Sequence, residues 1–269
     1  MLCNVSDLCT YTLAATDGRI GPLRDLYVDD LTWTVRFLVA RMDAAAAPRY
    51  VLIAPPAIAG VDRTAKLLLA SLTRQQVNDS PDVDTEKPVS RQHEVEQYGY
   101  YGFPFYWGEP ALWGNGGGPG MSLSGHDGLK LPDGSADQRK FAEAQRELHR
   151  QRGDDPHLRS CRALNGYHIH ATDGGIGHVA GIIVDDEAWV IRYLVVDTSD
   201  WWLGHQVLIA PQWISEISWL EATVALDMTR GAIKSAPPYD ARALPDRLYE
   251  SRIHDHHGRT AYWRDAAGS

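Results

Sequence analysis

The chain has 269 residues, 44% hydrophobic and 23% charged, with a formal net charge of −9 and a pI near 5.6. That balance belongs to a folded globular protein and excludes a largely disordered one. The acids are scattered and no basic stripe is visible, which argues against nucleic acid and anionic lipid surfaces as partners. No apolar run approaches the ~18 residues of a membrane span.

From the N-terminus, MLCNVSDLCTYTL has neither a basic start nor a long apolar stretch, so no secretory signal is expected and the expected compartment is the cytoplasm. Cys3, Cys9 and Cys161 are odd in number and lack zinc-ligand spacing, so reduced thiols are expected rather than a bridge or a metal site. Asp17-Gly18 is a tight-turn pair. Beyond the turn at Asp29-Asp30, apolar residues alternate. Trp33, Val35, Phe37 and Val39 point one way; Thr34, Arg36 and Leu38 point the other, on a half-buried face. Pro55 ends the next strand, because proline cannot donate to a central ladder. Thr73 with Gln76 predicts a capped short helix ending before Ser80-Pro81.

The same units return 156 residues later. TDGRIGPLRDLYVDD at 16–30 meets TDGGIGHVAGIIVDD at 172–186, and VLIAP at 51–55 meets VLIAP at 207–211. Trp189, Ile191, Tyr193 and Val195 repeat the alternation, with Arg192 in the place of Arg36. The aromatic tails HEVEQYGYYGFPFYW and YESRIHDHHGRTAYW also match in position, and each is expected to cover a barrel surface. Glycine and proline crowd 108–134 as a linker, and Ser135 with Gln138 predicts a helix closed by Gly153.

The predicted fold is therefore mainly β with short helices. Two tandem small β-barrels occupy 1–107 and 158–263, each followed by a helical and aromatic extension, with a linker and short helix at 108–157 and a tail at 264–269. Closure is expected because a sheet of five or six short strands otherwise leaves two open edges.

Chemistry is sparse. Arg36 calls for a carboxylate from Asp29 or Asp30, and Arg192 for one from Asp185 or Asp186; a structural ion pair in each barrel is expected. The loop DTSDWWLGHQ at 197–206 carries Trp201, Trp202 and His205. It either anchors a partner, or folds back over the barrel mouth or packs against the other half. Its counterpart RMDAAAAPRY at 41–50 has lost the tryptophans. His168 and His170 share one strand face, and His254, His256 and His257 cluster near the C-terminus; imidazoles can ligate zinc, but the first copy has Thr12, Ala14, Tyr98, Tyr100 and Tyr101 there, which suggests packing. No nucleotide, hydrolase or zinc-protease motif is present.

DGRIGPLRDLYVDD, WTVRFLVA and VLIAP, with their second copies, resemble the PRC-barrel domain, named after the cytoplasmic domain of the photosynthetic reaction-centre H subunit. The resemblance covers residues near 8–70 and 164–226. It implies a docking or scaffold domain and brings no catalytic residue. The expectation is a non-enzymatic, cytoplasmic binding protein without cofactor or metal, with a protein partner, possible homodimerisation, no nucleic acid and no membrane insertion. The alternative is a histidine-based metal- or small-ligand-binding protein with stress-related or hydrolytic activity.

Overall fold

The computed structural model describes residues 1–42, 49–81, 98–101, 158–198, 205–219 and 221–265. The linker and its helix, the tail at 264–269 beyond 265, and Trp201 and Trp202 lie outside them.

The chain opens with β1 (Leu2–Asn4) and a helical turn, α1 (Val5–Leu8). Asn4 Oδ1 makes that corner by accepting from the Ser6 N–H at 3.0 Å and the Ser6 hydroxyl at 2.7 Å. Then follow β2 (Thr12–Ala15), β3 (Gly18–Asp29), β4 (Val35–Met42), β5 (Arg49–Ile53), β6 (Ile58–Asp62), β7 (Leu67–Ala70) and α2 (Arg74–Asn78). The second repeat runs through β8 (Leu158–Ser160), α3 (Cys161–Leu164), β9 (His168–Ala171), β10 (Gly174–Asp185), β11 (Val190–Asp197), β12 (Gln206–Ile209), β13 (Ile214–Ser218), β14 (Thr223–Leu226) and α4 (Arg230–Lys234). It ends in α5 (Arg247–His256) and α6 (Tyr262–Asp265). No helix among the described residues is long and apolar enough to cross a membrane.

The protein is mainly β, in two sheets of the same topology. One follows the path β5-β4-β3-β2-β7-β6, the other β12-β11-β10-β9-β14-β13. The expected closure into barrels does not hold. The path ends β5 and β6 are consecutive in the chain, yet among the described residues no ladder joins them, nor β12 to β13. A 3-10 turn fills each corner, at Pro55–Ala57 and Pro211–Trp213. It carries the chain onward without the antiparallel fold-back that would zip the two strands, and its proline has no N–H to lend a ladder.

The boundaries expected from the repeat also shift. The chain divides into a first unit of Cys9–Ser160 with Glu187–Trp189, and a second of Met1–Leu8, Cys161–Asp186 and Val190–Ser269. The cause is strand pairing. β1 lies antiparallel to β10, with Leu2 opposite Asp185 and Asn4 opposite Ile183. β8 lies antiparallel to β3, with Leu158 opposite Asp29 and Ser160 opposite Tyr27. The 12-residue strands β3 and β10 need these additions. β2 and β9 cover only the first part of one edge, and a bare remainder would leave N–H and C=O groups unpaired.

Both faces of the central strands are buried. Leu26, Val28, Val35, Phe37, Leu38 and Ala40 are at 0% exposure in the first unit, and Ile183, Val184, Tyr193, Leu194 and Val196 in the second. A fully buried aliphatic side chain of this kind contributes about 1.5–3 kcal/mol. Trp33 and Trp189 depart from the expected alternation. They sit before their strands at φ 57° and 54°, in the left-handed region, and fill the core from a turn rather than a pleat. A bulky residue there costs roughly 1–2 kcal/mol, and both repeats bear it.

Gly177 lies at a register shift between β9 and β10 with φ +147°. A Cβ there would come within 1.9 Å of the Asp197 carbonyl oxygen. Gly177→Ala is expected to cost on the order of 3 kcal/mol or more, whereas Gly175→Ala, whose Cβ would meet only the Ile169 oxygen at 4.0 Å, stays within about 1 kcal/mol. Urea unfolding followed by tryptophan fluorescence distinguishes them; equal costs would refute the bulge contact.

Candidate functional site

The turn before β4 gathers the first set of charged groups. Arg36, 7% exposed, donates from Nη2 to Asp29 Oδ2 at 3.1 Å and to the Thr32 hydroxyl at 3.1 Å. Asp29 Oδ1 also accepts the Leu31 and Thr32 N–H groups, each at 3.0 Å. Burial works against the charged carboxylate, but Arg36 and these N–H donors outweigh it and hold Asp29 below the usual carboxylate range. Asp30 turns the other way, to Arg159 on β8 at 3.2 Å. In the second repeat Arg192 meets Asp185 at 3.3 Å, while the Met1 ammonium lies 3.0 Å from Asp186 and 3.1 Å from Asp185. Asp29 and Asp30 thus serve different arginines, whereas Asp185 and Asp186 share the Met1 ammonium and only Asp185 also meets an arginine.

The TDG turns do more than turn. Asp17 Oδ1 accepts the Arg74 N–H at 2.7 Å and Asp173 Oδ1 accepts the Arg230 N–H at 2.7 Å, so each anchors the start of a five-residue helix far along the chain. The same Arg230 N–H holds the Asp173 carboxyl below its ordinary range. Thr73 caps α2 with Gln76 in the reciprocal pattern its spacing predicts.

The β11–β12 hairpin is pinned at its base. Thr198, 1% exposed, donates its hydroxyl to the His205 carbonyl at 2.7 Å and accepts the His205 N–H at 3.0 Å. The His205 ring faces inward: Nε2 lies 3.4 Å from the Ala236 carbonyl. Arg49, its counterpart in the first repeat, bonds the carbonyls of Asn78 and Ser80. The structure therefore uses His205 as a strap between hairpin base and helix end. Residues 199–204 come between these two pinned residues.

The densest polar cluster joins α5 and α6 to the second sheet. Tyr193 on β11 donates to Glu250 Oε2 at 2.9 Å, and so does Tyr262, also at 2.9 Å. With that hydroxyl proton committed, the His254 Nε2 found 3.1 Å from Tyr193 Oη must be the protonated nitrogen, donating to it. Arg247 donates to the Tyr262 hydroxyl at 3.1 Å and lies 3.3 Å from Glu250. Arg192 stacks 3.9 Å over the Tyr262 ring, and Arg247 lies 4.2 Å over Trp263. Glu250 and His254 are 2% and 1% exposed. Burial, with Glu250 beside each hydroxyl, pushes Tyr193 well up and Tyr262 to about 12.

In the first repeat the same positions hold Phe37 and Tyr98, packed edge-on at 5.6 Å. The other members recur in the sequence: Arg36, Arg91, Glu94, Tyr106 and Trp107 stand where the second repeat has Arg192, Arg247, Glu250, Tyr262 and Trp263, so of the network only the Tyr193 and His254 positions differ. Its signal in the sequence was the Phe37-to-Tyr193 change, paired with Tyr98-to-His254.

The three C-terminal histidines lie close together, with the His256 and His257 rings 4.8 Å apart and both His254 and His257 packed on Trp213, but their contacts differ. His254 faces Tyr193; His256 Nε2 lies 3.3 Å from the Ala232 carbonyl; His257 packs its ring 4.8 Å from that of Trp213. His168 and His170 stand together on an exposed strand face. Among the described residues no group of three or more His, Cys, Asp or Glu side chains could hold a metal ion. No family model matches the chain, and no curated protein matches it.

Two predictions arise from the cluster. Burial is the main cause lowering His257 to about 4, with His256, Arg259 and His254 adding to it; burial also lowers His254 against the opposing backbone of Thr260 and Arg259. Both imidazoles are neutral in the fold, so stability is full above the unfolded value of about 6.5 and falls as pH drops from there toward about 4. Asp29 and Asp173 add their loss only below the ordinary carboxylate value of 3.8. Urea midpoints across pH 7 to 4 should decline, and His257→Phe should flatten that decline; an unchanged slope would count against the buried neutral ring.

Tyr193→Phe should cost about 1.5–3 kcal/mol, because it strips donors and acceptors from a buried carboxylate and imidazole. The pair Tyr193→Phe with His254→Tyr, which imitates Phe37 and Tyr98, should cost less than the two singles summed. Thermal unfolding of all three variants reads the coupling, and strict additivity would argue against the network.

Proposed function

We propose that the chain is a non-enzymatic scaffold of the PRC-barrel kind, with each sheet open at one seam, that docks another protein through the β11–β12 tip of its second repeat. The observation that carries this reading is how its buried reactive groups are used. Glu250 is held by two tyrosines and an arginine, Asp29 by an arginine and two N–H groups, and His254 by Tyr193. Groups spent on holding elements together are poorly placed to exchange protons with a substrate.

The hairpin with adjacent tryptophans supports the docking half of the reading. Its base is clamped by Thr198 and His205. Tryptophan is enriched among interface anchors, and the first repeat has none in the matching loop. The reading includes a cytoplasmic location, on the sequence grounds given above.

Affinity capture on the immobilised full chain tests it. Trp201→Ala with Trp202→Ala is expected to lose a captured protein by about tenfold or more while thermal stability stays within about 2 °C. His205→Ala is expected to lower stability instead, by loosening the strap. A double tryptophan variant that retains every captured species would remove the tip as the docking surface.

A further inference from the structure

The offset that aligns the two repeats also aligns the two transferred edge strands. Leu2 opposes Asp185 and Asn4 opposes Ile183; Leu158 opposes Asp29 and Ser160 opposes Tyr27. Each pairing is the other displaced by one repeat. The arm Met1–Leu8 belongs to the second unit, yet the next residue, Cys9, opens the first. Cys3, Val5 and Leu8 anchor that arm at 8%, 7% and 2% exposure. A turn at 9–11 is the whole of the connection to β2.

The β10 edge recognises the arm through backbone groups of 183–185 and through sockets for these three side chains. Those features read residues, not chain continuity, so an identical arm from another molecule satisfies them equally. We infer that the full chain forms a strand-exchanged dimer with a second copy, the β1 arm of each molecule docking on β10 of the other. The bonds are the same in monomer and dimer. The balance is therefore set by concentration and by how easily the turn at 9–11 opens. This inference is independent of the tryptophan tip, because it uses neither β11–β12 nor residues 199–204.

Sedimentation velocity of the full chain from about 1 µM to about 1 mM, after incubation in mild urea to open the arm, should show a dimer that grows with concentration. Deleting Thr10 shortens the turn, hinders closure within one molecule and should raise the dimer fraction several-fold. Two further full-length chains identify the contact, both carrying Cys9→Ser and Cys161→Ala. One keeps Cys3; the other has Cys3→Ser and Val184→Cys, at the residue opposite Cys3 in the ladder. Neither can close the bond alone, so a mixed disulfide on oxidation is the expected mark of exchange. A monomer at every concentration, including for the Thr10 deletion, would overturn the inference. So would a dimer whose two chains never cross-link.

Discussion

Everything in this fold depends on the edges of two long strands. β3 and β10 run for 12 residues each, and no single neighbour is long enough to pair either along one whole edge. A buried ladder group left unpaired costs more than a typical hydrogen bond returns. The solution divides the edge: β2 or β9 takes the start, and a three-residue strand from the start of the other repeat takes the far end. The same short strands deliver Arg159 to Asp30 and Cys3 to the core, and β1 leads into α1, which buries Val5 and Leu8. Charge pairing and apolar burial at these corners are thus consequences of satisfying backbone.

Duplication has left the scaffold alike and the decoration different. Backbone strain is copied faithfully: Trp33 and Trp189, and Lys66 and Ala222, occupy the left-handed region at matched positions. The Asp17 and Asp173 tethers are copied too. What diverged is one contact between sheet and C-terminal segment, where Phe37 against Tyr98 became Tyr193 against His254. A closed chain of hydrogen bonds needs all its members at once.

Much of this was legible in the residues. Alternation located β4 and β11, proline marked the strand ends at 55 and 211, and the Thr73–Gln76 spacing gave a real capping box. Arg36 and Arg192, charged in the middle of apolar strands, pointed correctly to the neighbouring aspartates, although only the structure shows that Asp29 and Asp185 take the arginines while Asp30 and Asp186 look elsewhere. Three things were not legible. Closure was expected from edge energetics, but a 3-10 corner opens the seam. The first residues were assigned to their own repeat, because periodicity carries no information about which sheet an edge strand joins. The tether role of Asp17 and Asp173 spans 57 residues, beyond any local pattern.

The crossed edge strands also order events during synthesis. The first sheet keeps part of its β3 edge bare until Leu158–Ser160 has emerged from the ribosome, and the second waits with its partner strand made long before. Neither half reaches its final pairing as a vectorially folding module. The nascent chain must carry an open, apolar-flanked edge through nearly half its own translation, a window in which a holding chaperone would have something definite to cover.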